Sequence, residues 1–502
     1  MTDHPTITAT LPRHARASPD RIAVICDRHA ITWWELDLAV DRLAAHLAAV
    51  VPAGRGVALH LPNGPALALL FLAAARGGRE AQVLDPNWPV ETTRLALREL
   101  SPGLVVSHDP ALAGGAGALA VIDAHGPFET VADAIGAKSS FQSVPQPDPL
   151  TPFYVGFTSG STGLPKGYRR HHSSWVESFR AGDREFDINA DDVVLAPGAL
   201  THSLFLYGLA HGLYVGATVI LCRQFRPNLV CRLIATHQAS VLYGVPTQLE
   251  MIVDAAMRDS APPFATMRWI LSSGAKWQGR AMDDLRDHFP SARFAEFYGA
   301  SELSFVTVVK DDEDVPPDSV GRAFSGVDLS IRDHLGRRLP SGEAGQVFVA
   351  SPFVFIDYAC GNTTALLRDG DAVSVGDIGV LDERGYLRLV GRASRMIITS
   401  GKNVHPEEIE RVLESHPAVT AAAVLGVDDD RRGERLLALL KLHPEMSVAS
   451  SDLIGHARSR LPSYKIPRRF ALPPKWPLTS SGKNDFQALR SIWDSDVCEA
   501  LP

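Results

Sequence analysis

The densest chemistry lies in Thr158-Ser159-Gly160-Ser161-Thr162-Gly163-Leu164-Pro165-Lys166-Gly167, directly after a short apolar run, residues 153–157. Three glycines, four hydroxyl side chains and one lysine stand together there. Glycine lets the backbone approach a ligand closely. Successive N–H groups can then form a concave anion site, to which the hydroxyls add donors and Lys166 a positive charge. That is phosphate-binding chemistry. A Walker loop places Gly before its lysine and Ser or Thr after it, whereas here Pro165 precedes and Gly167 follows. The plain alternative is a flexible surface loop, the usual state of Gly/Ser/Thr clusters, for which Pro-Lys-Gly is a poor ending.

The elements that must position this loop are legible on both sides. Strand-like runs at 21–26, 57–61, 81–84 and 104–107 alternate with helical spacing at 33–50, 65–76 and 90–100. Such alternation implies parallel strands joined by crossover helices. Residues 111–118 read as a surface loop, and 142–152, with its prolines, as a connector into the phosphate-type loop. Beyond that loop the alternation resumes, with helices at 171–180, 228–236, 246–257 and 279–288 and strands at 217–221, 240–243, 269–272 and 293–297. Ligands of open α/β sheets sit beyond the carboxyl ends of the strands. Two turns occupy such places, Ser272-Ser273-Gly274-Ala275 and Tyr298-Gly299-Ala300-Ser301-Glu302. After Val320 the texture changes to short β segments, with a hairpin signal at Asp382-Glu383-Arg384-Gly385. A small α+β unit follows, its first helix announced by Pro406-Glu407-Glu408. A basic tail, 464–484, contains Ser481-Gly482-Lys483.

Four stretches, the 158–167 loop, Tyr298 to Glu302, Gly376-Asp377-Ile378-Gly379 with Gly391-Arg392, and Ser481-Gly482-Lys483, resemble in order and spacing the motifs of the adenylate-forming superfamily. That superfamily includes acyl-CoA synthetases, adenylation domains and luciferases, and the resemblance runs from about Thr32 to Lys483. It implies a two-step reaction in which an acid oxygen attacks the α-phosphorus of MgATP, and a thiol then displaces AMP from the acyl adenylate. By this resemblance Thr158, Ser159, Gly160, Ser161, Thr162, Gly163 and Lys166 hold the β- and γ-phosphates, and Ser301, where the family usually has Thr, faces the α-phosphate. Glu302 ligates Mg²⁺, a hard cation suited to a carboxylate and phosphate oxygens. Asp377 accepts hydrogen bonds from the ribose hydroxyls, Arg392 is the matching ribose or phosphate contact, and Gly274, Ala275, Phe297, Tyr298 and Gly299 border the nucleotide base. Lys483 becomes the adenylation lysine, and Ser394 stands at the hinge where the family usually has Asp or Lys. His202 borders the acid and the thiol tunnel, with Tyr243, Leu303 and Ser304 on the pocket wall. The bland alternatives are a satisfied structural histidine for His202, a solvated loop acid for Glu302, a turn aspartate for Asp377 and a surface lysine for Lys483. Amino-acid-activating members of the superfamily carry an Asp near this histidine to pair with the substrate ammonium, and none stands between His202 and Tyr207, so the resemblance does not imply an α-amino acid substrate. The basic stretch Tyr168-Arg169-Arg170-His171-His172 either steers an anionic substrate or nucleotide or is a solvated face.

At 502 residues the chain exceeds a single core. The expected fold is α/β: a large N-terminal domain, 1–393, of parallel-sheet subdomains with a β-rich subdomain at about 320–391, then a small mobile α+β domain, 394–502. A net charge of −8 argues against nucleic acid and anionic membrane partners. The longest apolar stretch, 65–75, is too short to cross a bilayer. No signal peptide shows at the start, and five scattered cysteines read as reduced, so a cytoplasmic protein is expected. ATP, Mg²⁺ and a small acid are the expected ligands, with CoA the expected thiol. Loading of a carrier protein, amide formation or adenylation of nitrite is the alternative within adenylating chemistry. A non-catalytic nucleotide sensor is the alternative outside it, and such a sensor has no use for Lys483.

Overall fold

The structure, a computed structural model, describes residues 5–112, 118–137, 144–158, 165–273, 280–361, 366–399, 402–429, 433–444, 446–478 and 484–501. Two compact units divide the chain, Met1–Asp328 with Ala350–Thr363, and Leu329–Val349 with Thr364–Pro502. Most of the β-rich segment therefore groups with the C-terminal residues, while its return segment, Ala350–Thr363, belongs to the first unit.

Two sheets build the first unit. One runs in the order Arg322–Ala323, Ser304–Lys310, Arg293–Ala300, Trp269–Ser273, Val241–Gly244, Val193–Ala196, Thr218–Leu221, Ile22–Cys26, His29–Thr32. Its strands from Arg293–Ala300 through Ile22–Cys26 are parallel, and antiparallel strands finish both edges. The helices Pro227–His237 and Pro246–Arg258 bury Ile234, Leu249 and Ile252 with Leu195, Ile220 and Leu242 of this sheet. The other sheet runs Tyr358–Cys360, Lys166–His171, Pro152–Thr158, Ala81–Val83, Val57–His60, Leu104–Ser107, Ala118–Val121. Of the helices expected early in the chain, Trp33–Val50 opens with a Thr32–Glu35 capping box. Pro65–Arg76 is buried along its whole length. Among the described residues no helix is long and apolar enough to cross a membrane.

Two elements near the expected site have no counterpart in the sequence reading. Lys166–His171 is a strand paired antiparallel with Pro152–Thr158, so the phosphate-type loop is the tip of a β-hairpin. Ser203–Val215 is a helix whose residues from Phe205 to Leu213 are all buried, and an apolar run buried all round shows no amphipathic period.

The second unit holds two further sheets. The β-rich one runs Leu367–Asp369, Ala372–Ser374, Ala344–Ala350, Asp377–Leu381, Leu387–Arg392, with Asp328–Arg332 joined to Ala344–Ala350. The other contains Lys402–Val404, Ile397–Thr399, Gly433–Leu442, Arg469–Leu472 and Glu499–Ala500, with Val419–Asp429 on Gly433–Leu442. The helices Pro406–Glu414 and Ser450–Arg458 close one face of it, burying Ile409, Leu413 and Leu453 with Val424, Ala438 and Leu440. Leu489 of Phe486–Asp494 enters the core on the other face.

Candidate active site

Four parallel strands of the large sheet deliver His202, Tyr243, Gly274 with Ala275, and the stretch from Phe297 to Ser304 at or beyond their carboxyl ends, where open α/β sheets place ligands, while Thr158 and Lys166 come from the other sheet. His202 follows Val193–Ala196 as the N-cap residue of Ser203–Val215. Tyr243 is the penultimate residue of the strand Val241–Gly244, and Trp269–Ser273 leads to Gly274 and Ala275, which lie outside the described residues. Arg293–Ala300 carries Phe297, Tyr298 and Gly299, then turns back into Ser304–Lys310. Ser301, Glu302 and Leu303 form that turn, with the Leu303 N–H donating to the Ala300 carbonyl at 2.9 Å. Ser304 enters the return strand at φ 63°, and a side chain on Gly299 would lie 2.1 Å from the Ser304 carbonyl oxygen. Only glycine fits there.

Side-chain alternation along Arg293–Ala300 separates the two candidate aromatics. Phe297 is buried edge-on to Phe305 at 4.7 Å and is committed to packing, while Tyr298, partly exposed, lies on the opposite face. Tyr243 is buried against the helix Ser203–Val215, with its ring 6.5 Å from that of Tyr207. Leu303 is also buried, whereas His202, Ser301 and Ser304 are partly accessible.

Glu302 is only 7% exposed. Its Oε1 accepts a hydrogen bond from the Tyr358 hydroxyl at 2.8 Å, and among the described residues it forms no ion pair. A buried carboxylate without a cationic partner is costly, and the charge of Arg170 offsets part of that cost. Glu302 is thus suited to a divalent cation. No group of three or more His, Cys, Asp or Glu among the described residues could hold a metal ion. A cation at Glu302 would complete its shell with phosphate oxygens and water, the habit of Mg²⁺.

Thr158 pairs with Lys166 at the mouth of the hairpin, and residues 159–164 between them lie outside the described residues. The Lys166 ammonium stands 5.7 Å from the centre of the Tyr358 ring. Gly167 owes its identity to packing, since a Cβ there would meet the Cys360 sulfur at 2.8 Å. Lys166, Tyr358 and Glu302 therefore come together from three distant parts of the chain. Tyr358 was not a candidate from sequence, because no local pattern marks it.

The basic stretch after the loop is not a solvated face, which corrects that expectation: Tyr168, Arg170 and His172 are buried, and Arg169 and His171 are only partly accessible. Tyr168 and Arg170 are each 1% exposed. The Arg170 guanidinium donates to the Ser301 carbonyl at 2.9 Å, to the Phe353 carbonyl, and to the Ser174 hydroxyl at 3.3 Å. Burial lowers its pKa to about 10, still well above neutrality. Arg169 pairs with Glu80 at 2.7 Å and Asp357 at 2.8 Å. Tyr168 and Tyr154 share a hydrogen bond of 2.9 Å, and the Tyr168 hydroxyl also interacts with the Ser301 and Ser203 side chains. His171 accepts from the Ser174 N–H and caps the next helix, while His172 stacks on Phe153 at 4.7 Å. Burial pushes His171 down to about 4 and His172 to about 3, so both stay neutral near pH 7.

In the second unit, Asp377 and Arg392 face each other across Asp377–Leu381 and Leu387–Arg392. The Arg392 Nε donates to Asp377 Oδ1 at 2.8 Å, with the Asp377 side chain 6% exposed and that of Arg392 58%. The Ala393 N–H is tied to the Gly376 carbonyl at 2.8 Å. Two residues on, Arg395 is anchored to Glu407 at 3.1 Å and Glu410 at 2.6 Å and lies 3.6 Å from the Phe486 ring centre. Ser394, exposed, is the residue between these anchors. Lys483 lies outside the described residues, but its loop is closed by a bridge between Leu478 and Asn484. The Trp476 indole also donates to the Asn484 side chain at 2.8 Å.

This fold recurs in a structure of ATP-bound MatB from Rhodopseudomonas palustris, with a TM-score of 0.85 over 97% of this chain and 99% of that one, at 24% identity. The profile described as "AMP-binding enzyme" matches residues 11–359, and that described as "AMP-binding enzyme C-terminal domain" matches residues 408–483. The chain belongs to the AMP-binding enzyme family. An uncharacterized acyl-CoA ligase, YhfT of Bacillus subtilis strain 168, is 37% identical over 95% of this chain and 96% of its own length. A feruloyl-CoA synthase from an Amycolatopsis species is 31% identical over 94% and 96% respectively.

Proposed function

We propose that the chain is an ATP-dependent acid–thiol ligase that converts a carboxylic acid and ATP to an acyl adenylate and pyrophosphate, then passes the acyl group to a thiol. Coenzyme A is the proposed thiol, in keeping with the acyl-CoA ligases among its relatives. The observation that carries this reading is Glu302, a buried carboxylate with no ion-pair partner among the described residues, beside Lys166 at the mouth of a phosphate-type loop.

In this reading the loop from Thr158 through Ser159, Gly160, Ser161, Thr162 and Gly163, with Lys166, grips the two phosphates that leave as pyrophosphate. Glu302 would hold Mg²⁺, which when bound neutralises charge on the phosphate oxygens. Ser301 offers a hydroxyl to the α-phosphate, and Arg170 fixes the backbone of that turn. Tyr298 borders adenine with Gly274 and Ala275, while Phe297 stiffens the strand from its core side. Asp377 accepts the ribose hydroxyls, its carboxylate oriented by Arg392. Lys483 neutralises charge as the acid oxygen attacks phosphorus, and charge placed in advance is the main resource of phosphoryl-type transfer. His202, Tyr243, Leu303 and Ser304 shape the acid's pocket. Ser394, between two anchored residues, is the hinge and the functional boundary between residues 1–393 and 394–502.

The test is ATP–pyrophosphate exchange across a panel of aryl, short-chain and fatty acids, followed by addition of CoA, a carrier protein or an amine to the trapped adenylate. Exchange that depends on one class of acid, with thioester formed on adding CoA, is expected. An adenylate discharged only by carrier protein or amine would reassign the acceptor, and no exchange with any acid would refute the ligase reading.

A further inference from the structure

We propose that Tyr358 is a positioning residue for this reaction, its hydroxyl fixing one oxygen of Glu302 while its ring face holds the Lys166 ammonium. The inference rests on the reading of Glu302 as the metal ligand. Tyr358 donates to Glu302 Oε1 at 2.8 Å, leaving the other carboxylate oxygen to meet a cation. Hydrogen bonds of this kind orient ligating carboxylates and tune the metal they hold. On the ring face, Lys166 stands 5.7 Å from the centroid, within the range of a cation–π contact. One side chain thus touches both the group that would bind the metal and the cation that would bind phosphate.

The surroundings of Tyr358 are built for placement. Its strand pairs with Lys166–His171, Tyr358 opposite Tyr168 and Cys360 opposite Gly167. Upstream, the Ile356 N–H donates to the Arg169 carbonyl at 2.8 Å, and the Arg169 N–H to the Asp357 carbonyl at 2.9 Å. The Phe355 N–H donates to the backbone carbonyl of Glu302 itself at 2.8 Å. Arg170 ties the Ser301 and Phe353 carbonyls to one guanidinium. The Phe355 ring braces Tyr358 edge-on at 5.0 Å. The return segment Ala350–Thr363 is thereby sewn to both hairpins at the residues that carry the chemistry, which gives a reason for its membership of the first unit.

Mn²⁺ binding, read by electron paramagnetic resonance in the presence of a non-hydrolysable ATP analogue, tests the inference without turnover. Tyr358→Phe keeps the ring and removes only the hydroxyl, so Mn²⁺ affinity should fall about 10–100-fold, with analogue binding in EDTA unchanged. Tyr358→Leu should weaken analogue binding in EDTA as well, because the platform under Lys166 is gone. Glu302→Gln is the control and should abolish tight Mn²⁺ binding. If Glu302→Gln loses Mn²⁺ and Tyr358→Phe keeps it, the hydroxyl has no positioning role and the inference fails. If Tyr358→Leu binds the metal-free analogue like the parent, the role of the ring fails. If Glu302→Gln itself keeps Mn²⁺, the metal-ligand reading beneath the inference is wrong. Thermal unfolding of each variant separates loss of placement from loss of fold, and a Tyr358→Phe variant that loses Mn²⁺ only because it has unfolded would count against positioning.

Discussion

Arg170→Met is the perturbation whose size follows most directly from the geometry. The wild-type guanidinium makes hydrogen bonds to two carbonyls and one hydroxyl while 1% exposed. Bonds from a charged donor are worth about 1.5–3 kcal/mol each, so three of them amount to roughly 5–9 kcal/mol by the same measure. Against this stands the cost of burying the charge. A pKa lowered from 12.5 to about 10 corresponds to about 3 kcal/mol. Methionine removes both contributions, and the difference predicts a net loss of about 2–6 kcal/mol. Arg170→Lys retains the charge but has a single donor head and cannot span the Ser301 and Phe353 carbonyls, so an intermediate loss is expected. Urea unfolding gives the stability. The KM for MgATP should rise in both variants, because Ser301 is the residue held and Glu302 follows it. An Arg170→Met protein within about 0.5 kcal/mol of the parent, the range of an ordinary surface change, with unchanged KM would refute the clamp.

Two further outcomes are expected. Burial pushes the Glu414 carboxyl up to about 7 despite a hydrogen bond from the Ala422 N–H. A carboxyl pKa raised by folding contributes stability that is complete below the unfolded value and is lost as pH rises through the folded one. Glu414→Gln should therefore stabilise the second unit by about 2–3 kcal/mol at pH 8 and by less than about 1 kcal/mol at pH 5, read by urea unfolding at the two values. Equal effects at both would show that the carboxyl titrates normally. Lys483→Ala should slow adenylate formation by about 10²–10³ while ATP binding and thioester formation from supplied acyl adenylate persist, and loss of all three would deny that lysine a role confined to the first step.

The candidate site could be proposed from sequence because its motifs are local. The 158–167 loop declares phosphate-type chemistry by its residue types, whereas Glu302 and Asp377 are marked only by short stretches that resemble the family's motifs. The helices Trp33–Val50, Pro65–Arg76 and Val90–Leu100 also fall where the sequence places them, the first through its apolar spacing. Tyr358 and Arg170 were hidden because their partners lie far along the chain, Glu302 for one and Ser301 and Phe353 for the other. Arg170 was further disguised by composition, since Tyr168-Arg169-Arg170-His171-His172 reads as a wet basic face until the partners are seen. Ser203–Val215 escaped because Gly208 and Gly212 interrupt an apolar run. Both glycines answer to tertiary neighbours, with Cβ positions 3.1 Å from Tyr243 and 2.7 Å from Val219.

The central claim is acid-dependent adenylation supported by Glu302, and its most direct measurement is exchange of labelled pyrophosphate into ATP by the full chain. The account predicts exchange that requires both an acid and Mg²⁺ and falls about 10²–10³-fold in Glu302→Gln. Production of ADP and phosphate in place of AMP and pyrophosphate, or exchange indifferent to Glu302→Gln, would contradict it.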